Sequence, residues 1–135
     1  MSQKPPKLTT ILLVEPDDIV RPILRDNLRR WGYNVIVALD AADALQRTRA
    51  GGEPFDLILL NQFGQTIDEF VNIGRDIRQQ AELSSRIPIV IMAERYGVEL
   101  EGQNILLGES EYVTYLEDGQ QLRNLLHQLC PVENS

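Results

Sequence analysis

Apolar residues along this chain fall into two alternating patterns. Continuous runs occupy residues 10–14, 35–38, 55–60 and 88–92, rich in Ile, Leu and Val. Each run predicts a short strand buried on both faces. A shorter, more polar run at 112–116 predicts a fifth strand. Between the runs, apolar positions recur at helical spacing: Val20, Leu24, Leu28 and Trp31; Ala41, Ala44 and Leu45; Ile67, Phe70, Val71 and Ile77; Leu122, Leu125, Leu126 and Leu129. Asp17, Asp18 and Asp40 are good helix-capping types, and Gly32, Gly51–Gly52 and Pro131 are stop signals.

Two stretches break the regularity. Pro22 lacks an N–H and crowds the carbonyl of Asp18, so the regular first helix is expected to begin near Pro22. Residues 17–21 would then form an irregular turn at the C-terminal end of the first strand, where open α/β sheets place their sites. Gly97 and Gly102 interrupt residues 94–107, which predicts a short or frayed fourth helix. Strands alternating with helices imply an α/β fold, a doubly wound parallel sheet of five strands with about five helices. The expected organisation is a flexible N-terminal tail at 1–8, one domain at 9–130 and a C-terminal tail at 131–135.

Composition narrows the chemistry. With 13 basic and 20 acidic residues the net charge is −7, which disfavours non-specific contact with nucleic acid. Only Lys4 and Lys7 are lysines, so from Leu8 onward no mechanism that needs an ammonium group can operate. One cysteine, Cys130, and one histidine, His127, supply neither an internal disulfide nor a zinc set. His127 is expected to face solvent on the last helix, and Cys130 to be an inert thiol. No apolar run is long enough to span a membrane, and the N-terminus lacks the apolar core of a signal peptide. A cytoplasmic location is expected.

Four segments are specific together: ILLVEPDD, FDLILLN, IPIVIMAE and GESEYVTYLED. Over about residues 9–130 they resemble the response-regulator receiver family. That resemblance implies a flavodoxin-like sheet of strand order 2-1-3-4-5. It also implies a reaction: an aspartate ending the third strand attacks a phosphoryl donor, and acids after the first strand hold Mg²⁺. A Thr or Ser and a Lys then bind the phosphoryl group. On the matching positions this sequence has Asn61 for the acceptor, Glu15 and Pro16 for the acid pair, Ala93 for the hydroxyl and Tyr115 for the lysine. Asp17 lies one residue beyond the pair, and the family's switch aromatic is kept as Tyr112.

An amide cannot form an acyl phosphate, and Pro16 and Ala93 offer no ligand. The implied protein is a degenerate pseudo-receiver: not an enzyme, with no metal and no cofactor. Its expected role is a phosphorylation-independent interaction module in two-component-type signalling. The expected interface is the face of the fourth helix, fifth strand and fifth helix, engaging Tyr96, Leu106, Leu116 and Arg123 in a homodimer or with a protein partner. Neither nucleic acid nor a membrane is an expected partner. Because the chain stops soon after its last helix, it is expected to stand alone, without a DNA-binding output domain.

Two alternatives accompany this reading. One is small-molecule sensing in a crevice of Asn61, Ala93, Tyr115 and the 94–104 loop. The other is a conventional phospho-acceptor using Asp17 or Asp56, disfavoured because Asp56 opens the third strand at the wrong end of the sheet. A neutral, permanently set site is also expected if the Tyr115 hydroxyl bonds Asn61.

Overall fold

The structure, a computed structural model, describes residues 8–49 and 54–132. The expected Gly51–Gly52 helix stop and most of both expected tails lie outside those residues. The order is β1 (Thr10–Val14), α1 (Val20–Arg30), β2 (Asn34–Ala38), α2 (Ala41–Arg47), β3 (Leu57–Asn61), α3 (Ile67–Gln80), β4 (Ile89–Met92), β5 (Asn104–Leu106), β6 (Glu111–Thr114) and α4 (Gly119–Leu129). One sheet runs β2-β1-β3-β4-β6-β5, with every pair parallel except β5–β6.

Strand periodicity divides the core. Ile11 and Leu13 of β1 point to one face, packing with Leu28 of α1 and with Leu122, Leu125 and Leu126 of α4. Leu12 and Val14 point to the other, with Ala44 of α2 and with Phe70, Val71 and Ile77 of α3. All five residues of β1 are buried, as are all four of β4. That explains why these runs carry no polar alternation. Asp40 caps α2 by accepting from the Asp43 N–H at 2.8 Å, and Thr66 with Glu69 forms a capping box on α3. No helix among the described residues is long and apolar enough to cross a membrane.

The structure corrects three expectations. The first helix begins at Val20, before Pro22. Pro22 falls in the first turn, where its missing N–H has no intrahelical acceptor to lose. The described residues hold four helices and six strands, not five of each. In place of the expected fourth helix, the chain turns at 98–102 and returns as the antiparallel strand β5. Gly102 takes the left-handed conformation (φ 87°) that this reversal needs, and its N–H donates to the Tyr115 carbonyl at 2.7 Å. The adjacent strand spans 111–114 rather than 112–116. Its ladder with the β5 segment continues one residue further, where Tyr115 N–H donates to Gln103 at 2.9 Å.

Helix α3 is clamped to the sheet in two places. At Gly74 a β-carbon would come 2.7 Å from Ile89 Cγ2. Ile89 is fully buried and β-branched, so it cannot swing aside. Gly74→Ala is expected to cost about 1–2 kcal/mol, the overpacking outweighing the gain in helix propensity. Thermal unfolding checks this, and an unchanged or raised Tm contradicts it.

The second clamp is ionic. Glu111, only 3% exposed, accepts from Arg75 Nη2 at 2.5 Å and from Ser110 Oγ at 2.8 Å, with Arg78 Nη1 at 3.4 Å. Arg78, itself buried, also donates to the Ile87 carbonyl at 3.0 Å. Burial alone would raise the Glu111 pKa. The hydrogen bonds and charge of Arg75, with Ser110, outweigh it and hold the carboxyl down to about 2.

Candidate functional site

Parallel pairing of β1 with β3 sets Val14 beside Leu60, so the next residues, Glu15 and Asn61, meet at the C-terminal end of the sheet. Asn61 Nδ2 donates to Glu15 Oε1 at 2.6 Å. Glu15 is 1% exposed, and its second oxygen accepts weakly from the Asp17 N–H at 3.3 Å. The buried Glu15 carboxylate is therefore held by an amide and a backbone N–H.

Around this pair the loop after β1 is fixed by Arg21. Its guanidinium donates to the carbonyls of Glu15 (2.8 Å) and Pro16 (3.1 Å) and pairs with Asp18 at 2.7 Å. Pro16 is exposed and offers nothing but this carbonyl. Asp17 turns away from the site: its Oδ1 accepts from the N–H groups of Ile19 (2.8 Å) and Val20 (3.0 Å). The Val20 and Ile19 bonds hold its carboxyl below the usual carboxylate range. Asp56 lies at the opposite end of the sheet, accepting from Thr10 N–H at 2.8 Å.

None of the remaining site positions has a side-chain hydrogen bond to Asn61 among the described residues. Ala93 follows β4 directly, its N–H donating to the Thr114 carbonyl at 3.0 Å. Tyr112 packs against the core that α1 and α4 cover. Tyr115 does not bond Asn61, so a neutral site set by that bond does not form. Its ring meets Tyr96 edge-on, with centroids 5.4 Å apart, and the Tyr96 hydroxyl donates to the Leu116 carbonyl. The aromatic pair braces the 94–103 loop where a helix was expected.

A cleft of about 140 Å³ lies beside Asn61, on the side of α2 and α3. Val14, Leu60, Phe63, Phe70 and Ile73 make it apolar. Neither Ala93 nor Tyr115 lines it, so it is not the expected crevice. It is also below the roughly 300 Å³ at which small-ligand pockets begin.

The expected interface residues divide as well. Leu106 is 56% exposed on β5, and Arg123 is exposed on α4. Tyr96 and Leu116 are half-buried and bonded to each other. His127 is half-buried rather than solvent-facing: its ring lies 5.8 Å from that of Tyr33, and Nε2 is buried without a partner among the described residues. Burial pushes the Cys130 thiol up to about 11, so it stays protonated at neutral pH.

Sequence reasoning missed two positioning residues. Arg21 is one. Gln62 is the other: it accepts from Glu94 N–H and donates to the Gln65 carbonyl, both at 2.9 Å, joining the loops after β3 and β4. The only sequence signal for Gln62 was its place one residue past a strand end.

A mostly parallel sheet with helices on both faces, and a candidate site at the ends of β1, β3 and β4, defines a flavodoxin-like domain. No protein-family model matches the chain. It is 30% identical over 104 residues to the uncharacterized transcriptional regulatory protein YrkP of Bacillus subtilis, covering 77% of this chain and 42% of that protein. It is 31% identical over 116 residues to the transcriptional regulatory protein ZraR of Salmonella typhimurium, covering 86% of this chain and 25% of that protein. The chain thus spans less than half the length of these relatives. Among solved structures, the receiver domain of the sensor histidine kinase PA1611 of Pseudomonas aeruginosa, with magnesium coordinated in its active-site cleft, superimposes with a TM-score of 0.65. That match is 24% identical and covers 91% of this chain and 98% of that one. By fold and sequence together, the chain is similar to the receiver domains of two-component response regulators.

Proposed function

We propose that this receiver domain is a pseudo-receiver, a phosphorylation-independent protein-interaction module in two-component-type signalling. The observation that carries the reading is the 2.6 Å bond from the Asn61 amide to Glu15. Phosphoryl transfer to this position needs a carboxylate oxygen to attack phosphorus while the donor's leaving group departs. The Asn61 amide has no such oxygen, and its N–H₂ group is turned toward Glu15.

The donor set does not fit Mg²⁺ either. That ion favours octahedral sites with carboxylate ligands. Glu15 alone faces inward, Asp17 is spent on backbone N–H groups, and Pro16 and Ala93 carry no ligating side chain. The amide takes the place that a cation holds between acids. The carboxylate of Glu15 is satisfied without a metal, and the site needs no change of state to be stable.

The test is chemical. After incubation with acetyl phosphate and Mg²⁺, the intact mass of the protein is expected to stay unchanged. A single acid-labile phosphoryl adduct overturns the proposal.

A further inference from the structure

The strand that replaces the expected fourth helix leaves the sheet with an open edge. β5 pairs with β6 on one side only. In the register Asn104↔Thr114, Ile105↔Val113 and Leu106↔Tyr112, the bonds of Gln103 with Tyr115 and of Leu107 with Glu111 fix the alternation. Ile105 therefore faces β6, while the N–H and C=O groups of Asn104 and Leu106 point outward.

Natural edge strands are guarded by lysine, proline or inward charges. This one reads Gln-Asn-Ile-Leu-Leu over 103–107, with none of these. Leu106 is 56% exposed, Leu107 44%, and Val98 nearby in the turn 85%.

The charges around the edge select the occupant. Glu99 and Glu101 precede the strand, and Glu109 follows it. Glu117 joins the first end, its carboxylate 3.2 Å from where a β-carbon of Gly102 would lie. A second copy pairing antiparallel, Asn104 against Leu106, would set Glu101 opposite Glu109 at each end, a like-charge arrangement that destabilises strand pairs.

We propose that β5 is a docking edge for an extended segment of a partner protein, apolar at its centre and carrying arginine or lysine at both ends, added antiparallel to the sheet. This deepens the interaction-module reading and rests on it. Asn104 and Leu106 supply two donors and two acceptors, Leu106 and Leu107 take the apolar side chains, and the flanking glutamates take the basic ends.

The probe is a short capped peptide of alternating Val and Thr with two Arg at each end, compared with the same peptide ending in Glu. The Arg-ended peptide is expected to shift the amide NMR signals of Asn104 and Leu106 saturably, and the Glu-ended one to leave them unmoved. Leu106→Pro removes an outward N–H that β6 does not use, and is expected to weaken binding about tenfold, the worth of one well-placed hydrogen bond. Paired Glu101→Arg and Glu109→Arg changes, which leave the strand and the charges of Glu99 and Glu117 intact, are expected to narrow the preference for the Arg-ended peptide.

Equal binding of both peptides, or no shift at Asn104 and Leu106, overturns the proposal. So does a dimer in sedimentation that Leu106→Pro dissolves, since the occupant would then be a second copy. The acetyl phosphate result on the same protein is separate. A phosphoryl adduct defeats the phosphorylation-independent reading whatever the peptides do, and failed peptide binding without an adduct defeats the docking edge alone.

Discussion

Asn61→Asp is expected to destabilise the domain by about 3 kcal/mol at neutral pH, because it exchanges a hydrogen bond for two facing carboxylates. The Asn61 amide nitrogen lies 2.6 Å from Glu15 Oε1; Glu15 is 1% exposed and residue 61 half-buried, so solvent screens the pair only from one side. Repulsion raises the folded-state pKa of one carboxylate above its unfolded value. The loss is then complete above that raised pKa, shrinks as the pH falls from it toward the unfolded value of about 4, and is gone below that value. Urea unfolding at neutral and acid pH checks this. Asn61→Ala, which removes the bond without adding charge, is expected to lose less and to show no such pH dependence. An aspartate variant as stable as the parent at neutral pH contradicts the account of the pair.

Glu111→Gln is expected to cost about 3 kcal/mol, since it leaves the buried Arg78 and the Arg75 guanidinium without their anion. The sign with pH is the reverse of the first case. The Glu111 carboxyl is held down to about 2 from an ordinary 4.5, so its contribution is complete above about 4.5 and is lost as the pH falls toward 2. The parent should lose stability through that window, and the glutamine variant should lose correspondingly less. Parallel pH profiles for the two proteins would show that the ionic clamp between α3 and β6 contributes nothing.

What could be read in advance follows the physics of each element. Strands β1, β3 and β4 were legible because burial on both faces leaves uninterrupted apolar runs, and helices α1 to α4 because each has one apolar stripe. The missing helix was not. Gly97 and Gly102 warned against a helix, but Ile105, Leu106 and Leu107 suit a frayed helix as well as a strand. Pairing with β6, a tertiary contact, decided between them. An apolar run held between two glycines, Gly102 and Gly108, just before a second run at Tyr112, is also the pattern of a hairpin.

The site divides the same way. The residue types at Asn61, Ala93 and Tyr115, on which the proposed pseudo-receiver reading rests, are legible in the sequence alone. The partners were not visible. Glu15 meets Asn61 through the β1–β3 register, and Tyr115 meets Tyr96 through a loop whose path the sequence did not announce. Pro22 misled because its position relative to the helix start sets its cost, and that start moved to Val20.

The central claim is that the site neither needs nor takes the ligands of phosphoryl transfer. Titration with Mg²⁺ and beryllofluoride, followed by amide NMR, tests it most directly. The account predicts no saturable shift at Glu15, Asn61, Ala93 or Tyr115. Saturable shifts at these residues, at concentrations that occupy an active receiver, would contradict it.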